Sequence, residues 1–257
     1  MIFTPDELTA ITLSLRIAVL AVVCALPFAV AIAYVLARWK FRGKILLDAL
    51  VHLPLLMPPV LTGYALLVLL GRQGAIGYWL DHWFGFTFAF RWTGAVVAAA
   101  VMAFPLFVRS IRLSIEAIPR EIDEMAASLG ARPWAKFWQV ILPLSIPGVA
   151  AGMTLAFAKA LGEFGATITF VSNIPGETQT ISLAVHTLTQ VPNGEDGIAR
   201  LAVVSLLLSV GALVVSEWMV RRSAYKRQSE RNILFRHSGE SRNPGASAND
   251  YMDATTI

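Results

Sequence analysis

Two groups of residues in this 257-residue sequence have types and spacing that could do chemistry. Lys159 and Glu163 lie four positions apart inside an apolar run, so one helix face would carry both. Charges within such a run are rare and tend to face a bundle interior or a water-filled cavity. The pair therefore reads either as part of a path for a polar solute or as a neutralised structural ion pair between subunits. The second group is Pro54, Pro58 and Pro59, followed by Thr62 and Gly63. Its prolines remove backbone donors and bend the chain at a depth where irregular backbone must line a cavity or be buried in protein. The alternative there is a kink made for packing. Pro58, Pro59, Thr62, Lys159 and Glu163 are thus the candidate path-lining residues. Covalent chemistry has no visible apparatus. No G-x-x-x-x-G-K-[ST] phosphate loop occurs. The histidines, at positions 52, 82, 186 and 237, lack ligand spacing, and no nucleophile stands beside a base. No catalytic residue, metal site or cofactor is expected.

The elements that must position these residues are membrane helices. Apolar residues make up 56% of the chain, and charged residues only 15% against about 25% in soluble domains. A soluble enzyme of this size would need a more charged surface. Stretches at 11–37, 45–70, 93–109, 146–171 and 201–220 are apolar enough to span a bilayer, which takes about 20 residues each. The expected fold class is all-α: a polytopic membrane protein with about five transmembrane helices over residues 1–225. The remaining 226–257 form a polar tail without apolar period, expected to be disordered. Net charge is +4, but the basic residues cluster at the ends of apolar segments, which argues against nucleic acid as a partner. Arg38, Lys40, Arg42 and Lys44 follow the first stretch. Arg112, Arg120, Arg132 and Lys136 follow the third, and Arg221, Arg222, Lys226, Arg227 and Arg231 follow the fifth. Because cytoplasmic loops hold the excess of Lys and Arg, this pattern places the N-terminus outside and the C-terminus inside. The outer link 71–92 is dense in aromatics and suits an interfacial belt. The lone Cys24 can form no internal disulfide and reads as a small buried residue.

The link at 116–144 is more ordered in pattern than a plain connector. Pro119 precedes a short helix whose first turns hold Glu121, Asp123 and Glu124, acids that a helix dipole favours there. Gly130 ends it, as a C-terminal glycine does. Pro133 opens a second helix in which Trp134, Phe137, Trp138 and Ile141 keep the i, i+3, i+4, i+7 spacing of one apolar stripe. Pro143 is expected to stop this helix before the fourth span. An amphipathic hairpin of this kind can lie on the membrane or dock in a groove of a soluble partner.

Glu124-Met125-Ala126, then Gly130-Ala131, then Ile141-Leu142-Pro143 resemble the Glu-Ala-Ala loop of inner-membrane permeases of binding-protein-dependent ABC importers. Met125 stands where the family has its first Ala, a mild departure. The resemblance implies that Glu124, Ala126, Gly130, Ala131 and Pro143 shape a coupling joint, with Trp134 and Phe137 as its apolar contact with an ATP-hydrolysing subunit. Three further stretches resemble molybdate permeases, and less closely sulfate permeases: His52 to Tyr64, the run Gly162-Glu163-Phe164-Gly165-Ala166, and Asn173-Ile174-Pro175-Gly176 with Thr178-Gln179-Thr180. What this implies is a permease subunit in the cell inner membrane, not an enzyme. It would pass a tetrahedral oxyanion, molybdate before tungstate or sulfate. Its partners would be a cytoplasmic ABC ATPase, a periplasmic oxyanion-binding protein, a second copy of itself and membrane lipid. A secondary transporter driven by an ion gradient is the rival reading. It would show inverted repeats and paired broken helices, and neither is visible in the sequence.

Overall fold

The computed structural model describes residues 3–215 and Trp218. The polar tail at 226–257 and the basic residues after position 220 lie outside the described residues. All regular structure among the described residues is helical. In chain order the helices are α1 (Pro5–Arg38), α2 (Lys44–Leu56), α3 (Pro59–Leu70), α4 (Gly77–Phe84), α5 (Trp92–Glu116) and α6 (Arg120–Ser128). There follow α7 (Pro133–Lys136), a π turn (Phe137–Ile141), α8 (Leu142–Leu161), α9 (Gly165–Val171) and α10 (Ile181–Leu188). Last comes α11 (Glu195–Val215). Among the described residues, four helices are long and apolar enough to cross a membrane, or five if α2 and α3 count as one bent span.

Helix α1 begins where its sequence says it should. Thr4 accepts from Glu7 N–H while the Glu7 carboxylate accepts from Thr4 N–H, a reciprocal capping box, and Pro5 fills the first turn. Its buried face is built largely of small residues: Ala10, Ser14, Ala18, Ala21, Ala25, Ala29 and Ala33. Helix α5 answers with Gly94, Ala95, Ala98, Ala99 and Ala103. In lipid no hydrophobic force draws helices together, so close backbone approach and dispersion must do it, and small residues permit that approach. The two helices run the same way. Ala10 to Ala21 pack with Ala95 to Met102, and Ala25 to Leu36 with Ala103 to Ile115. Helix α8 packs along α5 and also meets α1, making α5 the centre of the bundle.

Three expectations need correction. Pro143 does not end the hairpin's second helix: residues Pro133–Leu161 form one continuous helix. The π turn explains it. Leu142 N–H donates to Phe137 O, five residues back, and the extra residue in that turn leaves room for the proline ring just beyond. The stretch 146–171 is not one helix either, because the chain breaks at Gly162-Glu163-Phe164 between α8 and α9. Cys24 is exposed rather than buried.

Candidate functional site

The hairpin of α6 and α7 is fastened to the bundle by residues far apart in sequence. The C-terminal end of α1 carries Arg38, whose guanidinium donates to Ile115 O and Ile118 O at 3.1 Å each. Ile115 O also accepts from Ile118 N–H at 3.2 Å, so the guanidinium braces the turn that follows α5. The same guanidinium lies 3.2 Å from the Asp123 carboxylate of α6, and Lys136 of α7 approaches that carboxylate at 3.7 Å. Asp123 is thus the point where α1, α6 and α7 are tied together. Both Arg38 and Asp123 are largely buried, with side chains 10% and 17% exposed, so the tie is poorly screened by water. The Tyr34 ring meets Phe137 edge-on at 4.9 Å. Ile122 and the buried Ile118 and Ile141 complete the anchorage.

The outward side of the hairpin is free. Glu124 is exposed, and Met125, Leu129 and Trp134 are 59%, 88% and 72% exposed. Trp134 stacks obliquely with Phe137 and edge-on with Trp138. Gly130 sets the bend. Ala131 N–H donates to Ala126 O at 3.0 Å and Gly130 N–H to Ala127 O at 2.9 Å, the paired bonds of a Schellman turn. That turn needs a left-handed residue at Gly130, whose φ is +79°, and glycine adopts it without a Cβ penalty. So Gly130 and the half-buried Ala126 and Ala131 shape the hairpin's bend, Glu124 and Trp134 face outward, and Phe137 faces Tyr34. Pro143 is half-buried at the start of α8.

The second set of expected residues converges on two helix breaks. At the first, α2 and α3 meet at 113° across Met57-Pro58. At the second, α8 gives way to α9 at Glu163. The breaks lie against each other. A Cβ on Gly63 would fall 2.5 Å from Ala166 O, and one on Gly165 would fall 2.7 Å from Pro59 Cβ. Only glycine lets α3 and α9 approach this closely. Paired broken helices are therefore present although the sequence did not display them. Glu163 is 2% exposed. One of its carboxylate oxygens accepts from Lys159 Nζ at 2.6 Å, and the other accepts from Ala166 N–H at 3.0 Å. The pair thereby staples the end of α8 to the start of α9. Thr62 is buried beside this joint and its hydroxyl has no partner among the described residues. Pro58 and Pro59 are exposed.

The loop after α9 gives a structural task to residues that otherwise read as a signature. Thr178 is fully buried; its hydroxyl donates to Ser172 O and accepts from Ile174 N–H. Asn173 and Gln179 both donate to the Thr187 hydroxyl, at 2.8 and 3.3 Å. Ile181 N–H donates to the buried Ser14 hydroxyl at 2.7 Å, seating α10 against α1. The sequence reading missed Arg38, Asp123, Lys136 and Tyr34 as a group. Their only signal was Asp123 beside Glu124 and Arg38 within a basic run.

A family profile described as "Binding-protein-dependent transport system inner membrane component" matches residues 25–224. The chain is 54% identical to the "Molybdenum transport system permease protein ModB" of Escherichia coli (strain K12), over 87% of this chain and 97% of that protein. It is 32% identical to the "Sulfate transport system permease protein CysT" of the same strain, over 89% and 81%. The fold resembles that in the crystal structure of a bacterial ABC transporter involved in the import of alginate, with a TM-score of 0.69, 16% identity, and 86% and 80% of the two chains covered.

Proposed function

Because the chain belongs to the family of binding-protein-dependent transport system inner membrane components, we propose that it carries a tetrahedral oxyanion, molybdate first, through the cell inner membrane. It is a membrane permease component of an ABC importer and not an enzyme. Its transmembrane domain spans residues 1–225, with the N-terminus periplasmic and the C-terminus cytoplasmic. Two copies form the path. A cytoplasmic ABC ATPase supplies the work, and a periplasmic binding protein delivers the anion. A related alginate transporter has been captured with a substrate-bound periplasmic protein.

One observation carries the coupling role: a hairpin with exposed Glu124, Met125, Leu129 and Trp134 is tied rigidly to α1 and α5 through Asp123. An apolar face held on a stiff mount transmits displacement, whereas a loosely tethered one would absorb it. Motion of an ATPase groove around Glu124 and Trp134 therefore reaches Arg38 and the end of α5 directly. It continues through α7 and the π turn into α8, an unbroken helix that ends at Lys159 and Glu163. There the α3–α9 contact at Gly63 and Gly165 sits between two breaks, where a shift of α8 would open or close the backbone. A dianion passing this region meets hydroxyls and helix ends. With Lys159 already neutralised by Glu163, no free lysine there would trap it. The paired breaks alone would also suit a gradient-driven transporter; the hairpin and the family set that reading aside.

Molybdate is favoured over sulfate because ModB is the nearer of these two relatives at 54% against 32% identity. The test is uptake of labelled molybdate in a strain lacking the gene, with tungstate and sulfate as competitors and Glu124→Ala as the uncoupled control. Restoration by this chain and loss with Glu124→Ala are expected. Equal uptake of sulfate would move the substrate assignment, and normal uptake by Glu124→Ala would remove the coupling role.

A further inference from the structure

A groove of about 840 Å³ runs along α1, α2 and α5 and takes no part in the proposed path. Its walls are apolar almost throughout, and on α1 they include Leu20, Cys24, Phe28 and Ile32. These are spaced four apart and so share one helix face. The next residue up that face is Arg16. Its guanidinium lies over the Trp92 ring, 3.9 Å from the centroid, and Trp92 is itself a wall of the groove. Arg16 is exposed, and no carboxylate lies within ion-pair distance of it among the described residues.

The membrane frame fixes what this arrangement faces. From Arg16 to Arg38 helix α1 rises about 33 Å, close to the roughly 30 Å of a hydrocarbon core. Arg16 and Trp92 thus stand at the interface on the side of the α1 N-terminus, where an aromatic–cation pair belongs. Phe28 lies about 18 Å deeper, near the middle of the slab, and on α5 Phe104 lies about as far below Trp92. From Arg16 the groove runs about 24 Å down α1 to Ile32, past the middle of the slab, with an unpaired cation at its interfacial end and hydrocarbon below.

We propose that this groove binds an anionic phospholipid, its phosphate on Arg16 and its acyl chains along Leu20, Cys24 and Phe28. A transmembrane helix from a second copy fits less well, since it would bring no anion to Arg16. A zwitterionic lipid could offer the phosphate, but its ammonium would find no carboxylate beside the site. The inference rests on the membrane reading above, though not on coupling or on the substrate.

The test uses the intact complex purified in detergent and read by native mass spectrometry, so transport is not involved. The complex is titrated with phosphatidylglycerol or phosphatidylethanolamine. One phosphatidylglycerol per chain should be retained preferentially. Arg16→Gln should weaken it about fivefold, the factor expected of one basic residue at an anionic surface, while Arg16→Lys should keep most of the preference. Cys24→Trp, which fills the groove, should abolish retention with Arg16 intact. Equal retention of the two lipids, or retention indifferent to Arg16→Gln and Cys24→Trp, would overturn the proposal. So would a delipidated dimer in which Cys24 resists maleimide until the copies are separated, because a second copy would then fill the groove. A reversed topology would change the leaflet and leave the lipid preference standing, which separates that failure from this one.

Discussion

Replacing Asp123 by asparagine should uncouple the hairpin from the bundle without removing it from its partner. The carboxylate stands 3.2 Å from the Arg38 guanidinium with both side chains largely buried. At an effective dielectric near 20, two unit charges at that separation attract by about 5 kcal/mol. Breaking one side of a buried pair costs about 3–5 kcal/mol, because the surviving charge is left without its counter-charge. Here Arg38 keeps its bonds to Ile115 O and Ile118 O, and Lys136 has a water-exposed side, so the lower end applies. A loss of about 3 kcal/mol shifts the balance between seated and loosened hairpin roughly a hundredfold. The contacts of Phe137 with Tyr34 and of Ile122 remain, so the fold should survive. In proteoliposomes with the ATPase and binding protein, Asp123→Asn should leave ATP hydrolysis largely intact and lower oxyanion uptake per ATP several-fold. Arg38→Gln should cost less in this background than in the unaltered protein, because the pair is already broken and only its bonds to Ile115 O and Ile118 O are lost. Uptake per ATP equal to that of the unaltered protein would refute the reasoning that the mount transmits the motion.

Three further outcomes follow from the same geometry. Gly130→Ala should destabilise the hairpin by about 1–2 kcal/mol through its left-handed φ of +79°, measurable as weaker co-purification with the ATPase at an unchanged yield of the permease. Glu163→Gln or Lys159→Met alone should lower complex yield sharply, since each strands a buried or half-buried charge, while the double variant should recover part of the loss; unchanged yield and uptake in both singles would remove the pair from the account. Glu7 precedes the apolar run of α1, and hydrogen bonds from Arg200 hold its pKa below the usual carboxylate range. A depressed folded-state pKa stabilises above the ordinary value, near 4.3, and that stability disappears as the pH falls through the folded value. Glu7→Gln should therefore lower the melting temperature at pH 7, and the difference should close as the pH falls below about 4, as followed by thermal unfolding in detergent.

Local chemistry made much of the hairpin legible. Pro119, Gly130 and Pro133 each act on their own backbone, so their effects can be read in order along the chain, and the Schellman turn at Gly130 is one result. The all-helical membrane fold was equally open, since composition and span length decide it. What escaped depends on distance or on a compensating neighbour. Asp123 looked like one first-turn acid among three until α1 brought Arg38 to it. Pro143 looked like a stop because the π turn that tolerates it leaves no trace in residue type. The break at Gly162 was hidden inside a continuous apolar run, where hydropathy alone cannot separate one helix from two. The contact of Gly63 with Ala166 required knowing that α3 and α9 are neighbours. Arg16 went unremarked because its meaning lies in Trp92, which begins another helix.

The central claim is that the segment around Glu124 and Gly130 faces the cytoplasm and seats an ATPase. A single cysteine at Ser128, on the exposed side of α6, placed in a Cys24→Ser background, tests both halves with one membrane-impermeant maleimide. The account predicts no labelling in intact spheroplasts, full labelling in inside-out vesicles stripped of the ATPase, and protection when the ATPase is restored. Labelling from the periplasmic side, or labelling that the restored ATPase does not diminish, would contradict it.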